Sequence, residues 1–597
     1  MHENISEIDK ISLLGKRWVL KDTDPMQVQQ YAQRFELPEI VARLIVARKI
    51  DSDQVPDFLN PTLRQLMGDP HELLDMDKAV ARLLQALDRK EKIAIFGDYD
   101  VDGATSSALL KRFLRDLGHD ALIYIPDRID EGYGPTAGAF DFLKGKGVQC
   151  VITVDCGATS FEALDHAASI GLDVIVMDHH MGEPKLPKAA AVVNPNRLDQ
   201  PENPYKICAA VGVCFLFAAC VVKALRARGA FETQKAPDLL TYLDLVATGT
   251  VCDVMALRDL NRAFVAQGLK VMAGRNNLGL KALADHAAID QAPTVYHLGF
   301  VIGPRINAGG RVGKSDLGAR LLSTLDNLEA AKIAAELSQF NIERQEIEQV
   351  VLAHALEQAE LQADKPFICV AGEGWHPGVI GIVAGRIKEK FHKPTAVVAF
   401  DDAGIGKASA RSVSGIDLGT MIHHAKQKGL LVGGGGHAMA GGFTIEIEQM
   451  DPFISFMREH IQATGADLTP YALADAYLSL EAGTIGFVKS LNTLEPYGQG
   501  NPQPKFILED VSVMKIDVVG QGHLRLVLKS FSGKGTLKAM AFRALDTPLG
   551  HALMNRRLDT FSFLGTFKVD SWMGNEQLTF FIDDGMTQGV KAERQIA

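Results

Sequence analysis

Cysteine is scarce in this sequence, with seven residues among 597. The number is odd, and no two cysteines stand in a Cys-x-x-Cys pair. This scarcity excludes a disulfide framework and a zinc site built from paired thiolates. Unpaired thiols are typical of proteins in a reducing compartment.

The sequence also lacks an apolar stretch long enough to cross a bilayer. Its longest apolar run is 16 residues, from Ile207 to Val222, whereas a membrane-spanning helix needs about 20. We therefore predict a buried core helix here and no membrane association. The first residues, Met1-His2-Glu3-Asn4, lack the basic start and the apolar stretch of a secretory signal, which makes the cytoplasm the expected compartment.

Positive charge is in deficit as well. The formal net charge of −11 has the wrong sign for a protein that coats nucleic acid without specificity, although it is compatible with a locally basic groove. From Tyr471 to the end, 13 Lys and Arg residues balance 13 Asp and Glu residues. The acidic excess therefore lies upstream, where a cation site would need carboxylates. The length of 597 residues predicts three or four domains.

Short β-branched runs alternate with helix-like stretches between residues 92 and 194. This alternation predicts βαβ units around a largely parallel sheet, and ligands of such sheets bind beyond the carboxyl ends of the strands. Three of the runs are followed there by aspartate, namely Asp98, Asp155 and Asp178. The five predicted strands are Ile93 to Phe96, Leu122 to Ile125, Val151 to Val154, Val174 to Met177 and Ala191 to Val193.

The remainder of the chain predicts a long helix, a second α/β lobe and a β-barrel. Residues 326–365 contain neither Gly nor Pro and carry apolar residues at helical spacing, which predicts one connector helix. From His523 to Lys529, leucines alternate with His523, Arg525, Val527 and Lys529, so one face is apolar and the other mostly basic, as in a strand of an OB-type barrel that binds single-stranded nucleic acid. We predict segments at 1–70, packing on the core, and at 71–325, 326–365, 366–470 and 471–590.

Three aspartates, Asp98, Asp100 and Asp102, crowd the loop after the first predicted strand and are followed by Gly103. Carboxylates on one turn repel each other unless a cation neutralises them, and hard divalent cations prefer oxygen ligands. A metal site therefore explains the triplet. The alternative is a solvated acidic loop that caps a helix, because carboxylates also stabilise helix N-termini.

A histidine pair follows another predicted strand, in Asp178-His179-His180. Mixed imidazole and carboxylate ligation suits manganese or a related metal. A histidine pair alone is weak evidence, since His423-His424 also occurs, on a predicted helix where a structural or surface role is expected. The position of the first pair, at one of three strand ends that carry aspartate, favours the metal site. Asp253, among apolar residues after a predicted helix, is a candidate further ligand.

Glycine is concentrated in the run GGGGHAMAGG, from Gly433 to Gly442. Successive glycines let backbone N–H groups approach an anion closely, and His437 could donate to a phosphate oxygen. The run lacks the Gly-Lys-Ser/Thr ending of a P-loop, so it does not imply ATP binding. A flexible turn between packed elements is the alternative.

Taken together, these motifs resemble the DHH phosphoesterase superfamily and, within it, the bacterial RecJ exonuclease family. The DHH core is shared with pyrophosphatases and small-nucleotide phosphodiesterases, whereas the later motifs and the barrel are more specific to the RecJ family. The resemblance implies a parallel-sheet DHH domain and a smaller α/β DHHA1-like domain joined by a long helix, with a C-terminal barrel of OB type. The matching segments are GDYDVDG (97–103), VDCG (154–157), DHH (178–180), TVCDVM (250–255), PRINAGGR (304–311), WHPGVIGIVAGR (375–386), KASARS (407–412), GGGGHAMAGG (433–442) and YGQGNPQPKF (497–506).

The resemblance implies a catalytic centre with two divalent ions, either Mn2+ or Mg2+. Such a pair lowers the pKa of a bridging water, presents hydroxide in line with the phosphorus and neutralises charge on the leaving oxygen. The implied ligands are Asp102, Asp155, His179 and Asp253 for one ion and Asp100 with Asp155 for the other, with Asp98 and His180 close by.

One position departs from the family pattern. Many relatives have a histidine four residues before the position of Asp100, where this sequence has Phe96. That imidazole is therefore missing beside one metal position. His180 is a candidate for stabilising or protonating the leaving oxygen.

The resemblance also implies residues that hold the phosphates of a DNA strand, with arginine favoured for its bidentate geometry. An interlobe salt bridge is the alternative for each arginine. The candidate DNA contacts are Arg305, Asn307, Arg311, Trp375, His376, Ser409, Arg411, Gly435, Gly436, His437 and Arg525.

RecJ-like proteins degrade single-stranded DNA from the 5′ end and release mononucleotides, so the resemblance implies this activity, with roles in recombinational and mismatch repair. It also implies cooperation with single-strand-binding protein and a RecQ-type helicase. Two alternatives stay open: a phosphodiesterase or pyrophosphatase acting on small nucleotides, and a non-catalytic single-stranded-DNA-binding scaffold. The barrel and later motifs disfavour the first, and the intact aspartates disfavour the second.

Overall fold

The structure, a computed structural model, describes residues 5–127, 131–132, 134–530, 535–555, 560–572 and 575–587. Contacts divide the chain into two compact units. The larger unit contains Asn60–Thr464 and Pro496–Asn501, and the smaller one contains Met1–Leu59, Gly465–Glu495 and Pro502–Ala597. The boundaries of the five segments given above remain predictions.

The chain begins with elements of the smaller unit. They are β1 Ile5–Ile11, β2 Arg17–Lys21, α1 Pro25–Arg34, α2 Glu39–Ala47 and α3 Val55–Leu59.

The first lobe of the larger unit alternates strands with helices, as the spacing of β-branched runs predicts. Its strands are β3 Ile93–Gly97, β4 Ala121–Tyr124, β5 Cys150–Val154, β6 Asp173–Met177 and β7 Ala191–Val193. Its helices are α4 Leu63–Leu66, α5 Met76–Asp88, α6 Val101–Asp116, α7 Ala137–Gly145, α8 Phe161–Ser169, α9 Ala210–Ala227, α10 Leu243–Cys252, α11 Asp259–Ala273, α12 Leu278–His286, the π-helix His297–Ile302, α13 Gly303–Val312 and α14 Leu317–Ser323, with short 3₁₀ turns at Pro70–Glu72, Pro204–Ile207 and Leu239–Tyr242.

The five strands form one parallel sheet in the order β4-β3-β5-β6-β7. Alternate residues point to opposite faces, so Ile93 and Ile95 join the core that includes α5, α6 and α9, whereas Ala94 and Phe96 join the core with α7 and α8. The parallel sheet is confirmed. Burial on both faces explains why its strands are continuously apolar.

The long apolar run forms most of α9, and 67% of the residues of this helix are buried. By length and composition this helix could cross a membrane, but it packs within the core that covers one face of the sheet. The predicted core helix is confirmed, shifted by a few residues toward the C-terminus because the residues before Ala210 form a 3₁₀ turn and its exit.

The predicted connector is a single helix of 34 residues, α15 Asn327–Glu360. Asp326 caps it, its side chain accepting hydrogen bonds from the backbone N–H groups of Leu328 and Glu329. At 1.5 Å per residue the helix is about 51 Å long, and it leads from the first lobe into the second.

The second lobe has a mixed five-stranded sheet in the order β11-β12-β10-β9-β8. The glycine run forms two of these strands as an antiparallel hairpin, so the alternative of a flexible turn is wrong. The elements are β8 Ile368–Glu373, α16 Ile380–Phe391, β9 Thr395–Phe400, β10 Ile405–Arg411, α17 Leu418–Gln427, β11 Gly433–His437, β12 Ala440–Glu446, a 3₁₀ turn Ile447–Gln449 and α18 Met450–Ala463.

The C-terminal part of the smaller unit contains a closed five-stranded barrel of OB type, as predicted. Its strands follow the order β15-β16-β17-β19-β18, and β18 pairs with β15 to close it. The elements are β13 Tyr471–Ala474, β14 Ala476–Leu478, α19 Ile485–Leu491, β15 Phe506–Val519, β16 His523–Ser530, β17 Thr536–Ala541, α20 Pro548–Met554, β18 Phe561–Trp572 and β19 Asn575–Thr587, with 3₁₀ turns Leu480–Ala482 and Asn492–Leu494.

The N-terminal strands belong with this barrel. β2 pairs in parallel with β13, and the indole N–H of Trp18 donates to Asp584 on β19 at 3.0 Å. Residues up to Leu59 therefore lie in the barrel-containing unit, whereas the sequence pattern led us to expect a segment 1–70 that packs on the core. Strand pairing across more than 400 residues leaves no local signal in the sequence.

Candidate active site

The aspartate triplet lies between β3 and α6, at the carboxyl edge of the parallel sheet. Asp100 caps α6, its side chain accepting from the backbone N–H of Gly103 at 3.0 Å. A Cβ on Gly103 would lie 2.3 Å from the carbonyl oxygen of Asp98, so only glycine allows this tight loop. The helix-cap interpretation is thus correct for Asp100, but it does not account for the other two carboxylates.

Asp102 is fully buried and is held by the N-terminus of α9. Its two carboxylate oxygens accept from the backbone N–H groups of Ala210 at 2.6 Å and Val211 at 2.9 Å. The positive end of a helix dipole stabilises a carboxylate in this position. The apolar helix therefore fixes one of the predicted metal ligands.

Asp155 follows β5 with a left-handed backbone, at φ 60°, and is 3% exposed. Aspartate tolerates this conformation better than most residues, and strained backbone is concentrated at functional sites. The turn directs Asp155 toward the histidine pair after β6, where its Oδ1 lies 3.3 Å from Nε2 of His179.

Asp178, the first residue of the DHH tripeptide, organises the loop. Its carboxylate accepts from the backbone N–H groups of Ala158, His179 and His180 and from Nδ1 of the His180 ring at 2.8 Å. Burial opposes its ionisation, but the hydrogen bond from His180 and the N–H groups outweigh burial and lower the pKa of Asp178 to about 2. It is therefore a charged anchor that orients His180.

Three of the predicted carboxylate ligands converge on Nε2 of His179, itself a predicted ligand. This atom lies 3.3 Å from Asp155, 3.5 Å from Asp253 and 3.9 Å from Asp102. A second group joins Asp98 and Asp100 to Asp155, with one ligand atom from each within 4.8 Å of the others. Asp155 belongs to both groups and would therefore contribute to both metal positions.

The carboxylates of this cluster resist simultaneous ionisation. Burial, followed by repulsion from Asp253 and Asp100, raises the pKa of Asp102 well above its usual range. Burial and the charges of Asp100 and Asp102 do the same for Asp155. Such mutual repulsion is relieved when cations occupy the space between the oxygens.

The two histidines respond to this environment in opposite ways. Burial, reinforced by the neighbouring His180, lowers the pKa of His179 to about 4, so its ring is neutral and able to ligate a metal. Burial also disfavours the protonated form of His180, but its hydrogen bond to Asp178 prevails and raises its pKa to about 9.

The residues fit divalent cations. Nε2 of His179 and Oδ2 of Asp253 are buried and have no hydrogen-bond partner among the described residues. Buried polar atoms are normally paired, so atoms of this kind indicate a missing ligand. A hydrogen bond from the His179 ring to the backbone of Cys208 leaves Nε2 directed at the cluster, as in metal-binding histidines.

Phe96 replaces the imidazole found in many relatives. Its ring is fully buried, stacks on Tyr124 at 5.4 Å and contacts Phe140 at 6.3 Å. This side chain belongs to the apolar layer formed with α7 and α8 and supplies no ligand atom.

A cavity of about 470 Å³ lies where α13 meets the second lobe. Arg311 extends from α13, and its Nη1 donates to the carbonyl oxygen of Gly378 at 2.9 Å. Within the described residues, neither Lys407 nor Arg411 forms a salt bridge, and burial lowers the pKa of the Arg411 guanidinium. The cavity is lined by Arg311, Pro377, Gly378, Ile380, Gly381, Ile382, Lys407, Ala408, Ser409, Arg411, Gly441 and Gly442, a set without a carboxylate.

The other predicted DNA contacts lie elsewhere. Gly435, Gly436 and His437 line a separate depression together with Asp417. Trp375 is 9% exposed and packs over Gly372. Arg305 donates to the carbonyl oxygen of Val301, and Asn307 is half-buried on α13. The ring of His376 accepts a hydrogen bond from the backbone N–H of Gly378. Arg525 lies on β16 of the barrel. For Arg311, the interlobe contact that the structure describes is the hydrogen bond to the carbonyl oxygen of Gly378.

The sequence pattern missed two kinds of residue. Asn194 and Asn196 donate to the carbonyl oxygens of His180 at 2.8 Å and His179 at 2.6 Å, and their position directly after β7 was an available signal. Lys407 was also missed, although it alternates with Ser409 and Arg411 along β10, and this period of two places all three on one face of the strand.

One outer face of the barrel is basic and aromatic. The register places Arg525 opposite Met540 and Lys538 opposite Val527, while the intervening leucines are buried. On the same face, Nζ of Lys568 lies 5.0 Å from the centre of the Phe581 ring. This combination suits the phosphates and bases of a single strand.

Comparison with known proteins assigns each lobe. Residues 92–250 match the DHH family, N-terminal domain, residues 364–463 match the DHHA1 domain, and residues 474–584 match the RecJ OB domain. The single-stranded-DNA-specific exonuclease RecJ of Haemophilus influenzae is 35% identical over 566 residues, which cover 91% of this chain and 95% of that protein. The chain belongs to the RecJ family.

Other members of the family agree with this assignment. RecJ of Bacillus subtilis is 33% identical over 95% of this chain and 70% of its own length. The crystal structure of Thermus thermophilus RecJ in complex with Mn2+ superposes with a TM-score of 0.80 at 29% identity, covering 95% of this chain and 78% of that one. A second crystal structure of that protein, with Mg2+, gives a TM-score of 0.74.

Proposed function

We propose that this protein is a 5′→3′ exonuclease specific for single-stranded DNA, which releases mononucleotides by phosphodiester hydrolysis at a centre of two divalent ions. The observation that carries the proposal is the convergence of buried carboxylates and a neutral imidazole from three strand ends of one sheet. Membership of a family whose named members are single-stranded-DNA-specific exonucleases supports the choice of substrate.

Asp102, Asp155, His179 and Asp253 would hold one ion, and Asp98, Asp100 and Asp155 would hold the other. The donor set of carboxylates and one imidazole suits Mn2+ and also accepts Mg2+. When bound, such a pair activates water for attack on phosphorus and neutralises developing negative charge. With phenylalanine at position 96, the second group would offer an ion carboxylate ligands only.

His180 is the proposed proton donor or hydrogen-bond donor to the leaving oxygen. Its Nδ1 is hydrogen-bonded to Asp178, and 43% of its side chain is exposed to solvent, where a substrate could approach. Asn194 restrains the same residue through its carbonyl oxygen. A histidine held at its ring by Asp178 and at its backbone by Asn194 meets the requirement that a general acid be held in a defined orientation.

The cavity of about 470 Å³ where α13 meets the second lobe is the proposed site for the terminal 5′ phosphate. It combines Arg311, Lys407 and Arg411 with the N-terminal turn of α16, where backbone N–H groups favour anions. A terminal phosphate carries more negative charge than an internal phosphodiester, so this site favours a strand end. That preference provides a physical reason for 5′ polarity.

The wider roles are also proposals. The OB barrel would bind the strand through its basic and aromatic face, and the chain would be divided at about residues 70, 325, 365 and 470. We further propose a cytoplasmic enzyme of recombination and mismatch repair that cooperates with single-strand-binding protein and a RecQ-type helicase. Its family membership supports these roles.

The test uses 5′-labelled single-stranded DNA with Mn2+. The first labelled product should be a mononucleotide, and Asp102→Ala or His179→Ala should abolish hydrolysis while DNA binding is largely kept. His424→Ala, a histidine exposed on α17, is the matched control. Hydrolysis restricted to dinucleotides would indicate a small-nucleotide phosphodiesterase, and binding without hydrolysis by the wild type would indicate a scaffold.

A further inference from the structure

Two aromatic rings on the larger unit are exposed to solvent and stacked on each other. Tyr296 is 63% exposed and Phe300 is 72% exposed, the highest values for aromatic side chains among the described residues. Their ring centres are 5.2 Å apart, with an angle of 25° between the planes. The two rings together form a flat, exposed apolar surface on which another planar ring can stack.

Phe300 lies in the π-helix and Tyr296 directly precedes it, and the π-helix packs against the end of α10. Leu298 is fully buried, and its carbonyl oxygen accepts from the thiol of Cys252 at 3.4 Å. A Cβ on Gly303, the first residue of α13, would lie 2.5 Å from the sulfur of Cys252, so the start of α13 and the end of α10 are in close contact. Cys252 directly precedes the predicted metal ligand Asp253, so the segment that carries the aromatic pair packs on the helix that ends at this ligand.

The same segment continues without a break into α13, which carries Arg311 into the phosphate cavity. Phe300 and Arg311 are 11 positions apart, roughly 16 Å along a helix at 1.5 Å per residue. One continuous segment therefore packs on the metal-ligand helix, exposes two aromatic rings and contributes to the phosphate site. π-Helical turns are frequent at functional sites.

We propose that Tyr296 and Phe300 form a platform on which nucleobases of the substrate strand stack. The proposal rests on the exonuclease function and adds positioning residues to it. Stacking engages the face that every base has, so the platform would hold any sequence, as required of an enzyme that degrades strands processively or repeatedly. Phosphate contacts alone would not provide this hold on the bases.

The test compares Phe300→Leu, Tyr296→Leu and the double variant with Phe142→Leu, a control at another exposed aromatic residue of the same lobe, on α7. Steady-state kinetics are measured on a 5′-phosphorylated thymidine oligonucleotide and on the same strand with abasic sites at its first three positions. Because all three side chains are exposed, unchanged melting temperatures are expected.

Each platform variant should raise KM for the base-bearing strand roughly tenfold, with kcat within twofold, and should leave KM for the abasic strand unchanged. A 2-aminopurine near the 5′ end, quenched by stacking in wild-type complexes, should become brighter in the double variant. Equal losses on both strands, or no loss on either, would overturn the platform. If wild-type protein failed to hydrolyse either strand, the exonuclease function itself would be wrong.

Discussion

Replacing Asp178 by asparagine removes a buried negative charge while leaving the shape of the side chain unchanged. The native carboxylate accepts hydrogen bonds from three backbone N–H groups and from the His180 ring. Asparagine offers one acceptor oxygen, and when that oxygen faces the histidines its NH2 group faces the N–H of Ala158. Leaving one buried N–H without an acceptor should lower the free energy of unfolding by about 1–3 kcal/mol.

The same change should reduce activity without removing the metal ions. Residues that orient metal-site histidines commonly contribute 10–100-fold, so we expect kcat on labelled single-stranded DNA to fall by roughly that factor. Asp178 is absent from the described metal-binding groups, so calorimetric titration should still detect two Mn2+ ions. Asp165→Asn, an exposed aspartate on α8, is the matched control.

Two outcomes would refute this reasoning. Wild-type kcat together with an unchanged urea-unfolding free energy would mean that Asp178 does not organise the loop. Complete loss of Mn2+ binding would mean that it is a ligand, contrary to the geometry.

Two further predictions concern the cavity and the core. A Cβ at Gly381 would lie 3.0 Å from the Ser409 hydroxyl, so Gly381→Ala should raise KM for 5′-phosphorylated strands about tenfold. A Cβ at Gly385 on the same helix has nothing within 4 Å, so Gly385→Ala should leave KM unchanged. Equal KM values for the two variants would contradict the phosphate site. Burial raises the pKa of Asp244 from 3.8 to about 6, so its ionisation costs stability as pH rises through that window. Asp244→Asn should therefore raise the free energy of unfolding by up to about 3 kcal/mol above pH 6 and have no such effect below pH 4. Urea unfolding at one pH above 6 and one below 4 measures the difference. A difference that is the same at both pH values would contradict the raised pKa of Asp244.

The sheet and its acidic edge could be predicted because both have local signals. The strands are short, mostly apolar runs that contain β-branched residues, and aspartate follows three of them directly. Parallel strands end at one edge, so these carboxylates had to meet there. Asp253 was identified only as a candidate, because helix packing over long sequence distances brings it to His179.

Other features of the structure could not be predicted, because they depend on tertiary contacts that leave no local pattern in the sequence. The hydrogen bonds from the first backbone N–H groups of α9 to Asp102 join residues that are more than 100 positions apart in the sequence. The glycine run suggested a loop, yet cross-strand pairing makes it a hairpin because neighbouring strands override the low strand propensity of glycine. The N-terminal strands likewise join the barrel unit through pairing between β2 and β13.

The most direct test of the two-metal centre is an anomalous-difference map from crystals grown with Mn2+ and a bound single strand. Two peaks should appear, one among Asp102, Asp155, His179 and Asp253 and one beside Asp98, Asp100 and Asp155, and the first should vanish in Asp102→Ala crystals. A map with no peak at this cluster, or with manganese bound elsewhere in a protein that still hydrolyses DNA, would contradict the account.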